Sequence, residues 1–142
     1  MLAKRAPPQR AHGAANRVRI IGGQYRRRLL DFPGSAGLRP TTDRVRETLF
    51  NWLAPVLPGM HCLDLYAGTG VLGLEALSRG AAESWFVEQD VEVARALETA
   101  LICFGGQNHD KSRVLRTDAR RWLTDMREVL HPEERTALVR IA

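Results

Sequence analysis

Seven consecutive residues, Asp64-Leu65-Tyr66-Ala67-Gly68-Thr69-Gly70, join an acid to a turn of small side chains. The apolar run Met60 to Leu65 carries the carboxylate, and a helical pattern runs from Val71 to Arg79. Strand, small-residue turn and helix in that order let backbone approach a ligand closely. Gly68-Thr69-Gly70-Val71-Leu72-Gly73 matches G-x-G-x-x-G, with Glu88 twenty residues after Gly68. An acid there, at the end of the next strand, can accept both hydroxyls of a ribose. That much suits a dinucleotide such as NAD and a nucleoside equally. Asp64 separates the two. In a dinucleotide site the turn places pyrophosphate on the helix N-terminus, and the Asp64 carboxylate opposes that anion. At ~4 Å and an effective dielectric of about 20, like-charge repulsion is of order 4 kcal/mol. S-adenosylmethionine, with an ammonium, a sulfonium and no phosphate, meets attraction instead. The plainer alternatives are a turn acid holding backbone N–H groups for Asp64, and an ordinary tight turn for Gly68 and Gly70.

Asp118 follows a third strand pattern, Val114-Leu115-Arg116. It can accept from an adenine amino group, cap the helix predicted over 119–130, or do both. Trp85 and Trp122 read as core, and Arg120-Arg121 as a solvated face. The four histidines (His12, His61, His109 and His131) are scattered, which points to neither a triad nor a metal. Cys62 and Cys103 form no C-x-x-C pair, and two buried thiols in a reducing cytosol is the expectation.

The elements that must position these residues follow from pattern. Residues 1–16, with Pro7-Pro8 and Gly13, are expected to be a disordered basic arm. Arg17 to Ile21 and Tyr25 to Leu30 read as strands of a hairpin with Gly22-Gly23 between them. Arg26, Arg27 and Arg28 then lie on a ribbon, and Phe32 to Pro40 is a Pro/Gly loop. Residues 17–40 are thus a hairpin and loop, and 41–142 one domain. Thr41-Thr42-Asp43 supplies N-cap chemistry. Val45, Leu49, Trp52 and Leu53 at helical spacing predict an amphipathic helix over 43–53. Strands over 60–65, 84–88 and 112–117 alternate with helices over 71–79, 91–104 and 119–130. That alternation predicts an α/β fold with a parallel sheet and right-handed crossovers.

At 142 residues the chain has room for one domain and one core. With 44% hydrophobic and 26% charged residues it has the composition of a soluble globular protein. No apolar run approaches the ~20 residues of a membrane span. The basic N-terminus lacks the apolar stretch of a secretory signal. Charge is uneven. Residues 1–30 hold eight Lys/Arg and no acid, so the net charge of +5 comes from there. Such an arm neutralises phosphates and favours RNA or DNA.

From Arg17 to about Leu123 the chain resembles the small-subunit methyltransferase D family, the bacterial guanine-N2 methyltransferases of 16S ribosomal RNA. Four stretches carry the resemblance: Arg19-Ile20-Ile21-Gly22-Gly23-Gln24-Tyr25, the run from Gly37 to Leu53, Leu63 to Gly70, and Gly73 to Gly80. The string Leu38-Arg39-Pro40-Thr41-Thr42-Asp43-Arg44-Val45-Arg46-Glu47 is far more specific than the glycine turn. The resemblance implies a Rossmann-like methyltransferase domain with a hairpin that holds RNA. It implies S-adenosylmethionine at Asp64, Ala67, Gly68, Gly70, Glu88 and Asp118, under a loop of Arg39, Pro40 and Thr41. Arg17, Arg19, Arg26, Arg27 and Arg28 are the candidate RNA contacts. A cytoplasmic protein without metal, acting on 16S ribosomal RNA or a small-subunit assembly intermediate, follows.

The family also carries an Asp/Asn-Pro-Pro-aromatic motif at the end of a fourth strand, and no such motif occurs in these residues. The expectation is a cofactor half without its catalytic half: an incomplete parallel sheet, and no methyl transfer by this chain alone. Two other classes stand beside it, a non-enzymatic RNA-binding remnant and an NAD-binding fragment.

Overall fold

The computed structural model describes residues 16–34, 37–105 and 111–126. Their elements run β1 (Asn16–Arg19), β2 (Leu29–Phe32), α1 (Asp43–Leu53), β3 (His61–Asp64), α2 (Val71–Ser78), β4 (Glu83–Val87), α3 (Val91–Gly105), β5 (Ser112–Leu115) and α4 (Ala119–Met126). β3, β4 and β5 pair in parallel in that order, with Asp64 opposite Phe86 and Val87 opposite Leu115. A helix joins each strand to the next, as parallel pairing requires. This is the α/β sheet that the strand–helix alternation predicts, and the N-terminal hairpin stands as a separate antiparallel pair.

The strands alternate between two cores. Cys62, Phe86 and Val114 pack with α2, α3 and the hairpin residues Ile20, Leu30 and Phe32. Leu63, Leu65 and Val87 pack on the other face with Ala119 and Trp122 of α4. A parallel strand covered on both faces reads as a nearly continuous apolar run, which is why Met60 to Leu65 shows no period of two. Trp122 is buried, while Trp85, on the central strand, is half-buried against the same core with the Arg113 guanidinium 5.0 Å from its ring.

The hairpin departs from expectation. Asn16 pairs with Phe32 and Val18 with Leu30, so the second strand starts at Leu29 and not at Tyr25. Residues 20–28 form the connection. Its N–H groups are taken by α2: Glu75 accepts from Ile21 (2.9 Å) and Gly22 (2.8 Å), the Ser78 carbonyl from Gln24 (2.7 Å), and Ser78 Oγ from Tyr25 (2.9 Å). With those donors committed elsewhere, the chain does not close a tight turn at Gly22-Gly23. Gly23 has φ 77, and a Cβ there would stand 2.0 Å from the Ser78 carbonyl oxygen, so only glycine allows this approach. Arg26, Arg27 and Arg28 therefore lie on a loop, not on a ribbon. Asn16, expected in the arm, opens β1, and the Pro/Gly loop starts after Phe32. The rest of the arm (1–15) and the end of the helix expected over 119–130 lie outside the described residues.

α1 has the expected bounds and cap, with Thr42 Oγ1 accepting from Val45 N at 3.4 Å. Its buried face differs. Val45 and Trp52 are 55% and 76% exposed, whereas Arg46 and Phe50 are buried. Arg46 can be inside because its donors are met. Nε donates to the Thr41 carbonyl (3.0 Å), Nη1 to the Arg19 carbonyl (2.6 Å) and Nη2 to Asp43 Oδ1. A paired, hydrogen-bonded cation can be buried where a lone one cannot. Cys62 is buried as expected, but Cys103 is exposed, on the outer face of α3.

Candidate functional site

The carboxyl ends of the three parallel strands are fastened to one another by the residues of the turn. Ala67 N donates to the Val87 carbonyl (3.0 Å), and Glu88 N to the Leu115 carbonyl (3.0 Å). Glu88, just after β4, accepts from Gly68 N at 2.9 Å and from Asp90 N at 3.0 Å. It thus holds the glycine turn from beneath and opens the entry to α3. Gly70, the N-cap of α2, has φ 78, and a Cβ there would lie 2.2 Å from Leu97 Cδ1. Both constraints select glycine at this position.

Asp64 ends β3 at 3% exposure, and neither carboxylate oxygen has a hydrogen-bond partner among the described residues. Burial pushes its pKa up to about 6, and the Glu88 charge adds to the rise. The N–H groups of Gly73 and Tyr66 draw it back, without reaching hydrogen-bond geometry. The neighbouring Cys62 thiol is pushed up to about 11, first by burial and then by Asp64, so it is no nucleophile at neutral pH. An unsatisfied buried acceptor costs about 1–3 kcal/mol. A primary ammonium, with three donors and a positive charge, removes that cost at Asp64. The unpaired acceptors of Asp64 thus fit the amino-acid end of S-adenosylmethionine and oppose a diphosphate.

Asp118 follows β5 and caps α4, its Oδ1 accepting from Arg120 N and Arg121 N at 3.0 Å each. The capping half of the expectation is therefore present, and Asp118 is also exposed at the same strand ends as Glu88. The loop of Arg39, Pro40 and Thr41 follows Leu38, which borders the glycine turn. No hydrogen bond or ion pair links it to Asp64, Glu88 or Asp118 among the described residues. Its neighbour Leu38 instead faces Gly68 across a narrow groove that Phe32 and Leu97 also line. Arg17, Arg19, Arg26, Arg27 and Arg28 all sit on the hairpin and its loop. Among the described residues no cluster of His, Cys, Asp or Glu could hold a metal, and no helix is long and apolar enough to cross a membrane.

Sequence reasoning assigned no role to Glu75 and Arg46. Glu75 is fully buried, and besides Ile21 N and Gly22 N it accepts from Arg79 Nε at 2.9 Å. The available signal was a lone acid inside Val71 to Ser78, a segment otherwise free of charge.

Comparison with known proteins identifies the family. The family described as "Conserved hypothetical protein 95" matches residues 18–131. The chain belongs to that family. It is 52% identical over 112 residues to ribosomal RNA small subunit methyltransferase D of Escherichia coli K12, covering 79% of this chain and 55% of the relative. It is 53% identical over 88 residues to the protein of that name in Haemophilus influenzae, covering 62% and 46%. A solved Escherichia coli structure described as a candidate methyltransferase, yhhF, superposes with a TM-score of 0.68 at 47% identity, covering 76% of this chain and 56% of that one. The resemblance to the small-subunit methyltransferase D proteins and the Rossmann-like α/β methyltransferase fold both stand. The chain spans about half the length of the curated relatives it matches.

Proposed function

We propose that this member of the family binds S-adenosylmethionine at the carboxyl ends of β3, β4 and β5 and takes part in methylating ribosomal RNA. The observation that carries the reading is Asp64, buried with both oxygens unpaired among the described residues, beside a turn whose Gly70 has a backbone strained for any other residue. In this reading Asp64 holds the ammonium, Ala67, Gly68 and Gly70 give the ligand backbone to lie against, and Glu88 accepts from the ribose. Asp118 takes the adenine amino group on Oδ2, the oxygen not used in capping α4, and Arg39, Pro40 and Thr41 close over the site. The bound cofactor supplies a methyl group on a cationic sulfur. The named substrate of the relatives favours ribosomal RNA, and the finer choice is the exocyclic N2 of a guanine in 16S ribosomal RNA, free or in an assembling small subunit.

That amine is a weak nucleophile because its lone pair is delocalised into the ring. Rate then comes from positioning and from acceptors on N2–H. Family resemblance assigns those acceptors to an Asp/Asn-Pro-Pro-aromatic motif, which these 142 residues do not contain. Cofactor binding is therefore the readout here, and turnover by the 142-residue chain is not expected.

Calorimetric titration with S-adenosylmethionine, S-adenosylhomocysteine and NAD tests the reading. Binding of the first two, lost in Asp64→Asn, is the expected result. NAD binding in their place overturns it. Tight RNA binding without any cofactor affinity replaces it with a purely RNA-binding role.

A further inference from the structure

The family resemblance implies a hairpin that holds RNA, and the inference that follows rests on that and on the ribosomal RNA reading above. The five arginines there are not equivalent. Arg17 donates Nε to Asp31 and Arg19 donates Nε to Asp43, each at 2.9 Å. Arg28 lies over the rings of Tyr25 (5.1 Å) and Phe104 (5.4 Å). These three cations are already engaged by the fold. Arg26 and Arg27 are exposed, and their side chains make no ion pair or hydrogen bond among the described residues. Both line a groove of about 310 Å³ with Arg19, Ile20 and Ile21. Three cations border that groove and no acid does.

Arg27 carries a second mark. Its φ of 71 is the one left-handed value at a non-glycine among the described residues. Arg27 N to the Ile20 carbonyl and Ile20 N to the Arg28 carbonyl, both 2.9 Å, hold the loop in that shape. Glycine would adopt it without strain. Local strain at an arginine is a cue to look for work done by its side chain.

We propose that Arg26 and Arg27 grip the phosphodiester backbone of RNA, with one phosphate seated in the groove beside Arg19. Arg17, Arg19 and Arg28 hold the loop in shape. Guanidinium groups suit this task because their paired N–H donors match phosphate oxygens.

The test titrates the 142-residue chain with a fluorescein-labelled, guanine-containing RNA stem-loop over a range of KCl. Arg26→Ala and Arg27→Gly are each expected to lower the slope of log affinity against log salt by about 0.7–0.9, equivalent to a roughly sixfold loss of affinity near ~0.1 M salt. Arg27→Gly should melt no lower than the parent, because glycine suits that backbone, so its loss of binding is not unfolding. Arg95→Ala, on the exposed side of α3, should leave the slope unchanged. Parental slopes in both groove variants, or an equal fall in the Arg95 variant, overturn the proposal. So does saturable binding of inorganic phosphate that the groove variants abolish while their RNA binding is intact, which assigns the groove to a small free anion. A parent chain that binds no RNA overturns the wider reading of the hairpin instead.

Discussion

Arg46 and Glu75 meet inside the protein, Nη1 lying 3.5 Å from Oε2 with both side chains fully buried. Between them they serve four backbone groups in two stretches of chain: Arg46 reaches the Arg19 and Thr41 carbonyls, and Glu75 reaches the Ile21 and Gly22 amides. Burial lowers the Arg46 pKa, and Asp43 and Glu75 oppose that. Removing one partner leaves a buried charge and orphaned amides. Glu75→Ala should therefore cost about 3–5 kcal/mol in urea unfolding. Replacing both by Met and Leu should not restore parental stability, because the backbone groups lose their partners too. A double variant as stable as the parent would show that the network adds nothing.

Asp64 gives a pH dependence of opposite sign to that of an ion-paired carboxylate. Its folded pKa of about 6 lies above the unfolded value of about 3.9. The folded state thus holds the proton more tightly. The Asp64 contribution to stability is greatest below about pH 4, falls as pH rises towards 6, and stays lower above that. Two units correspond to about 3 kcal/mol. In Asp64→Asn this component should vanish, which unfolding curves at several pH values will show. Parallel pH profiles for the two proteins would refute it.

Cofactor binding should draw Asp64 into its ionised form. Binding at pH 5.5 should then release protons, detected as a calorimetric enthalpy that varies with the buffer's ionisation heat. Proton uptake, or no linkage, would contradict an ammonium at this carboxylate.

Glu88→Ala removes the acceptor for Gly68 N and Asp90 N. We expect a stability loss of about 1–2 kcal/mol and a fall of at least about tenfold in affinity for S-adenosylmethionine. Glu88→Gln, which keeps one acceptor oxygen, should melt closer to the parent while still binding the cofactor more weakly. Parental affinity in both variants would remove Glu88 from the site.

The face of α1 can be checked directly. Phe50→Ala should cost about 3–5 kcal/mol, and Trp52→Ala less than about 0.5 kcal/mol. The reverse order would restore the face that periodicity alone predicts.

That contrast shows where reading from sequence works and where it stops. Strand-like runs spaced by helical patterns mark β3, β4 and β5, and β3 and β4 are the more apolar because both their faces are covered. The acid and glycines from Asp64 to Gly70 marked the turn, because few other residue types fit it. Arg46 escaped because periodicity weighs apolar side chains and overlooks a cation whose partners come from distant segments. Tyr25 to Arg28 has strand propensity, yet hydrogen bonds to Glu75 and Ser78 outweigh it. The burial of Cys103 was misjudged for a related reason: residue type does not say which side of a helix has a neighbour. The roles of Arg39, Pro40 and Thr41 were implied by resemblance, and the geometry of Leu38 over Gly68 could not be read from it.

α2 starts at the glycine turn and ends where Ser78 and Glu75 hold the arginine loop. Its eight residues measure ~12 Å at 1.5 Å each. One short rod thereby works as a calliper, setting the spacing between whatever lies in the turn and whatever the loop grasps. Lengthening it by a single residue would rotate one jaw by about 100° relative to the other, leaving each jaw intact but aimed at different objects.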